Sequence, residues 1–218
     1  YWDSAAAVDA DADSLRPTAR DRYLQEALEH AMSKWLSEDA RLLDVGCGDG
    51  RSTVFFAAQV RSVLGIDYID KFVARSRAHA TESGVENASF EVGSVLDLAQ
   101  VREGHGLFDV AISIRCLINL DSWANQARAL RELASCVRPG GLLLISEGWQ
   151  EGMDGLNDWR ARATLEEMSV ADFNLLISRR AFEQELEPLF ETVHYESLGF
   201  YLFISRVLMP RFVTPDAP

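Results

Sequence analysis

The nine residues Leu42-Leu43-Asp44-Val45-Gly46-Cys47-Gly48-Asp49-Gly50 constrain this chain more than any other stretch. Leu42, Leu43 and Val45 make a short apolar strand. Gly46, Gly48 and Gly50 let the backbone turn sharply and approach a ligand closely, and Arg51-Ser52-Thr53 opens a helix. A strand that runs through glycines into a helix is how a nucleoside site begins. Spacing narrows the choice of nucleoside. The dinucleotide fingerprint G-x-G-x-x-G/A sets a third small residue where helix meets strand, beside a pyrophosphate. Here that position is Arg51, and the chain reads G-x-G-x-G with Asp44 inside the motif. Downstream, Arg61-Ser62-Val63-Leu64-Gly65-Ile66 reads as a second strand ending in Asp67. An acid in that region, roughly 20 residues beyond the glycines, can accept from both ribose hydroxyls.

This pattern resembles motif I of the class I S-adenosylmethionine-dependent methyltransferases, and the resemblance runs from about residue 41 to 147. It implies a doubly wound seven-stranded sheet, six strands parallel and one antiparallel, preceded by an N-terminal helix. The implied cofactor is S-adenosyl-L-methionine, with S-adenosyl-L-homocysteine as product. Such a ligand carries an ammonium and a sulfonium where a dinucleotide carries phosphates, which gives Asp44 a use. On this resemblance the cofactor-binding residues are Asp44, Gly46, Cys47, Gly48, Asp67 and Tyr68, with Ser94 and Val95 in the adenine loop after the third strand. Ser94 stands where these enzymes often carry an acid. Either Ser94 bonds the exocyclic amine, or Asp97 supplies the acid, or backbone groups suffice; Asp97 reads equally well as a helix N-cap. Arg138-Pro139-Gly140-Gly141 before an apolar strand is similar to the same junction in these enzymes.

With 218 residues and 48% hydrophobic content the chain can build one sizeable α/β core, and residues 1–218 are expected to form a single domain. Three cysteines are an odd number, so no disulfide framework is implied and a reducing cytoplasm is the expected setting. No apolar run approaches the roughly 18 residues a membrane span needs, and Tyr1-Trp2-Asp3 has no signal-type features. Membrane insertion is therefore not expected. A net charge of −13, from 34 acidic against 21 basic residues, disfavours nucleic acid as a partner and leaves a small-molecule substrate. Oligomeric state is left open.

Residues 1–40 are expected to form a leader and a cap helix, the helix capped by Thr18 with Asp21 in its first turn. Tyr1 and Trp2 either close over a cofactor or pack on an apolar edge. Arg20, at the helix start, either pairs with the cofactor's carboxylate or belongs to a solvated charged face. Helices are expected over 69–83, 122–137 and 178–189, and strands over 87–92, 108–114 and 142–147. Residues 190–197 and 200–207 read as a closing antiparallel hairpin, followed by an extended tail over 209–215.

Arg115, directly after the fourth strand, faces the crevice of an open α/β sheet and is a candidate substrate contact with Asn119 and Trp149. Residues 148–177 form the candidate substrate lid, the alternative being an ordinary amphipathic connection. Glu147, closing a core strand, and His194 are the candidate catalytic bases. The chain lacks the aspartate-rich metal constellation of catechol-type enzymes, so no metal is expected. The expected activity is metal-free methyl transfer to a small molecule, with a sugar or secondary-metabolite hydroxyl as the favoured acceptor. Two rivals stay open: a non-catalytic S-adenosylmethionine-binding subunit, and a nicotinamide oxidoreductase, which Arg51 disfavours.

Overall fold

A computed structural model describes residues 21–191 and 194–213. The chain divides into two compact units, one comprising residues up to 117 with 128–146, the other residues 118–127 with 147–218.

The first unit holds a sheet of five strands, all parallel, in the order β3-β2-β1-β4-β5. Its strands are β1 (Arg41–Val45), β2 (Ser62–Asp67), β3 (Ala88–Val92), β4 (Phe108–Ile114) and β5 (Val137–Ser146). Helices α1 (Arg22–Ser33), α2 (Arg51–Ala57), α3 (Asp70–Glu82), α4 (Ala99–His105) and α5 (Trp123–Cys136) precede and connect them. The central strands carry near-continuous apolar runs because helices cover both faces of a parallel sheet. Leu42, Leu43, Ile66 and Ile112 are fully buried. At the β3 edge only Phe90 is buried, between exposed Ser89 and Glu91. The chain builds outward from β1 to β2 and β3, then returns to the other side of β1 for β4 and β5. That reversal opens a crevice beyond the carboxyl ends of β1 and β4.

Two local features fix this frame. Asp21 caps α1, its carboxylate accepting from the Leu24 N–H at 3.0 Å. Asp21 is thus the cap and not a first-turn residue, while Thr18 lies outside the described residues. Between β4 and β5 the register slips: Phe108 pairs with Val137 and Val110 with Leu142, so Asp109 faces four residues, Arg138-Pro139-Gly140-Gly141. Asp109 accepts from Arg138 Nε at 2.5 Å and from the Arg41 N–H at 2.7 Å. A side chain at Gly141 would meet the Asp109 carbonyl at 2.6 Å, which explains the glycine there. The fifth strand consequently begins at Val137, ahead of this loop, and ends at Ser146.

The sheet corrects the seven-stranded mixed architecture. Among the described residues neither 190–197 nor 200–207 forms a strand. The second unit instead ends in α8 (Gly199–Phe203) and a π-helix over Ile204–Val213. Phe200, Phe203, Ile204, Val207 and Leu208 recur at i, i+3, i+4, i+7 and i+8, which is helical spacing, and the aromatic and β-branched content masked it. Residues 209–213 of the expected extended tail are therefore helical; 214 and 215 lie outside the described residues.

The rest of the second unit comprises α6 (Gln150–Arg162), α7 (Arg179–Leu186) and their connections. Asn157 ties the connection after α6 to itself, donating to the Met168 carbonyl and accepting its N–H, both at 2.9 Å. The Ile118 carbonyl accepts from the Leu175 N–H at 2.7 Å, and the Ile177 N–H donates to Gly148 at 2.9 Å. Among the described residues no helix is long and apolar enough to cross a membrane.

Candidate functional site

The glycine turn sits where β1 meets α2, at the switch in strand order. Gly46 has φ +81°, and a Cβ there would stand 2.6 Å from the Cβ of Cys116. At Gly50, φ is +76° and a Cβ would lie 2.7 Å from that of Ser76 on α3. Both positions therefore exclude a side chain by conformation and by space, and the turn keeps its backbone bare.

Asp67, the last residue of β2, locks onto this turn. Its Oδ2 accepts the Gly48 N–H and its Oδ1 accepts the Ile69 N–H, each at 2.9 Å. Burial pushes its carboxyl above the ordinary range, and the backbone donors Ile69 and Gly48 pull it back. Each oxygen retains a second lone pair, so the fixed carboxylate can still accept from a diol.

Asp44 points from β1 toward α2, where Thr53 Oγ1 donates to its Oδ2 at 2.6 Å. At 2% exposure it is buried, and its pKa rises from 3.8 to about 6. Burial is the main cause; Thr53 opposes the shift, while the charges of Asp67 and Glu29 add to it. Cys47 is buried in the turn, and burial together with Asp44 and Asp67 holds its thiol well above the ordinary value, so it lines and does not react.

In the adenine-loop segment, Val95 is buried and Ser94 is exposed. Ser94 Oγ accepts the Leu96 N–H at 3.2 Å, and Asp97 Oδ1 accepts the Ala99 N–H at 3.2 Å, at the start of α4. Asp97 thus makes a helix-start contact. Tyr68 is 61% exposed beside Asp67. Arg20 lies outside the described residues. Arg115 is exposed immediately beyond β4, with φ +52°, and its N–H donates to the Ser146 carbonyl at 2.8 Å. A left-handed arginine at a strand end is a costly conformation, of a kind that concentrates at functional sites.

The remaining candidates belong to the second unit. Glu147 is 9% exposed, and its Oε2 accepts the Ile118 N–H at 3.2 Å. Asn119 is half-buried in the 3-10 turn Leu117–Asn119. Trp149 packs edge-on against Phe182, centroids 4.9 Å apart, and faces Tyr195 at 6.3 Å. His194 is exposed, 4.0 Å from Glu196. Among the described residues no group of three or more His, Cys, Asp or Glu is placed to hold a metal ion.

Gln25 and Glu29, and the side-chain bonds of Ser52 and Thr53 beyond their place at the helix start, were not expected from the sequence. Glu29 is buried on α1 beside Leu28 and Met32, so its signal was an acid adjoining an apolar stripe, with Gln25 one turn earlier.

The bare turn, a fixed carboxylate able to accept a diol, and the buried Asp44 beside them fit a nucleoside ligand that carries positive charge. Comparison with known proteins agrees. A family model described as "Methyltransferase domain" matches residues 36–192. The ubiquinone biosynthesis O-methyltransferase of Xanthomonas axonopodis pv. citri is 35% identical over 119 residues, covering 55% of this chain and 47% of that protein. The arsenite methyltransferase of Aquipseudomonas alcaligenes is 36% identical over 119 residues, covering 51% of this chain and 34% of that protein. The chain thus spans half or less of the length of these relatives. The crystal structure of YcgJ from Bacillus subtilis superposes with a TM-score of 0.59 at 20% identity, over 75% of this chain and 67% of that one, and shares the fold.

Proposed function

The chain belongs to the methyltransferase-domain family, the class I S-adenosylmethionine-dependent methyltransferases, and from that premise we propose that it methylates a small molecule at a hydroxyl oxygen. One observation carries the cofactor half of this reading: Asp67 is bonded to Gly48 of the glycine turn, so ribose acceptor and cofactor floor form one rigid piece. When bound, S-adenosylmethionine supplies a methyl group on a cationic sulfur, and the acceptor's lone pair forms the new carbon bond as the carbon–sulfur bond breaks and its electron pair returns to sulfur.

The protein's own residues position the reactants and manage charge. Asp67 holds the ribose diol, and Asp44 faces the cationic part of the ligand. Gly46 and Gly48 give it backbone without obstruction, and Val95 closes an apolar side of the adenine site. Arg115, on its strained perch, contacts the acceptor, and Glu147 takes the proton the acceptor loses. Asn119 and Trp149 contribute to the acceptor's surroundings, and residues 148–177 serve as the cover that excludes water.

Support for an oxygen acceptor comes from the O-methyltransferase relative at 35% identity, but the arsenite methyltransferase is 36% identical, so identity alone does not select the acceptor atom. A sugar or secondary-metabolite hydroxyl is the favoured acceptor, acting without a metal. Thermal-shift titration with S-adenosylmethionine, S-adenosylhomocysteine and NAD in parallel tests the assignment. Stabilisation by the first two alone is expected, and a response to NAD alone would overturn it. Acceptor screening with hydroxylated sugars and metabolites then follows methyl transfer directly.

A further inference from the structure

The helical segment Gly199–Val213, made of α8 and the π-helix that continues it, carries exposed apolar side chains for which the methyl-transfer scheme has no use. It packs on α6, where Trp159 meets Phe203 edge-on with centroids 5.3 Å apart and Arg160 donates to the Arg206 carbonyl. Val207, at 2% exposure, is the residue the π-helix buries, while α6 and α8 bury none. Phe200 and Phe212 are 77% and 72% exposed, and Ile204, Met209 and Val213 are exposed with them. In a helix bonded i→i+5, residues four and five apart lie above one another. Phe200, Ile204, Met209 and Val213 follow at spacings of four, five and four, so they form one exposed stripe, with Phe212 beside it. A contiguous apolar surface of this kind marks a contact with protein or membrane.

Charge decides between those partners. Residues 197–215 contain Arg206 and Arg211 and no acid, in a chain whose net charge is −13. Arg211 is exposed, and its guanidinium lies 5.5 Å from the centroid of the Phe212 ring, which places a cation beside the apolar stripe. Exposed Arg162 stands over Trp159 in the same way, at 5.0 Å. Rings with arginine heads next to them suit a helix in a bilayer interface, where the rings enter the acyl boundary and the guanidinium stays among the phosphates. A second copy of the chain would set one acid-free segment against another of the same sign. Anionic lipid supplies the opposite sign, and acids farther away than a Debye length of about 8 Å are largely screened.

We propose that the Phe200–Ile204–Met209–Val213 stripe, with Phe212 and Arg211, is a docking surface for an anionic lipid bilayer. Among the described residues no helix is long and apolar enough to cross a membrane, so the segment lies in the plane of the interface. Docking of this kind does not depend on the methyl-transfer reading.

Sedimentation of the folded chain with vesicles tests the proposal, using phosphatidylcholine alone and an equal mixture of phosphatidylcholine and phosphatidylglycerol. Wild-type protein is expected to sediment with the mixed vesicles, less so as salt is raised, and weakly with phosphatidylcholine alone. The double variant Phe200→Ser, Phe212→Ser should lose at least tenfold in vesicle affinity and keep its melting temperature, since both rings are exposed. Arg211→Gln should lose about fivefold, and only on the mixed vesicles. Tyr23→Ser, which removes an exposed ring from α1, should change nothing. Absence of sedimentation, equal sedimentation with both vesicles, or unchanged sedimentation of the double variant would overturn the proposal. A lipid-free dimer that the double variant dissociates would assign the stripe to a second copy and overturn it too.

Discussion

Asp67 Oδ2 accepts the Gly48 N–H at 2.9 Å, and this bond joins the end of β2 to the turn after β1. Replacing Asp67 with alanine frees the half-buried Gly48 N–H and the buried Ile69 N–H and removes the ribose acceptor. Charge-assisted hydrogen bonds of about 1.5–3 kcal/mol are lost, so S-adenosylmethionine affinity should fall at least tenfold. Calorimetric titration of Asp67→Ala checks this, and unchanged affinity would displace the cofactor from this turn.

Asp44 gives a pH dependence with a definite sign. Its folded pKa of about 6 lies above the ordinary 3.8, so the folded state binds the proton more tightly than the unfolded state. Its contribution to stability is fully present below pH 3.8 and is lost as pH rises through about 6. The shift corresponds to a cost of order 3 kcal/mol at neutral pH. Asp44→Asn should therefore raise the melting temperature of the ligand-free protein at pH 7.5, with the gain shrinking toward pH 4. The same variant should bind S-adenosylmethionine less well. Melting curves across that range, with and without ligand, measure both effects.

Gly50→Ala brings a Cβ to 2.9 Å from the Ser76 backbone Cα in a left-handed conformation. Strain and overpacking should cost about 2–4 kcal/mol. Denaturant unfolding would register it as a lower midpoint with an unchanged slope.

Arg115 pays for a left-handed backbone that asparagine tolerates better. Arg115→Asn should leave stability equal or improve it by up to about 1 kcal/mol, while kcat/KM for the acceptor falls at least tenfold. Melting temperature and steady-state kinetics together separate strain kept for function from a merely awkward turn.

Glu147→Gln preserves an acceptor for the Ile118 N–H, so the fold should hold. Loss of a proton-accepting carboxylate should lower kcat by about 10²–10⁴ and remove the acidic limb of the pH–rate profile. An unchanged profile would assign the proton to solvent.

Legibility in the sequence followed the strength of local constraints. β1, β2 and β4 were readable because a strand buried on both faces leaves an uninterrupted apolar run, and Asp67 because it ends such a run. The residues from Phe200 to Leu208 misled because aromatic and β-branched side chains suit a strand by propensity while their spacing suits a helix; the period was the better guide. Glu29 was hidden for a different reason. Its partner Ser52 is 23 positions away, and a contact of that separation exists only once α1 has docked.

The sheet that stops at β5 has a consequence for solution behaviour. Among the described residues β5 has a strand neighbour on one side only, β4, and its other rim carries backbone donors and acceptors of the kind that recruit a foreign strand. Pro139, which has no N–H, and the charged Arg138 interrupt the start of that rim, whereas Leu142-Leu143-Leu144-Ile145 follow without a charge or a proline. A lysine introduced in that four-residue run would act as a gatekeeper against edge-to-edge strand pairing.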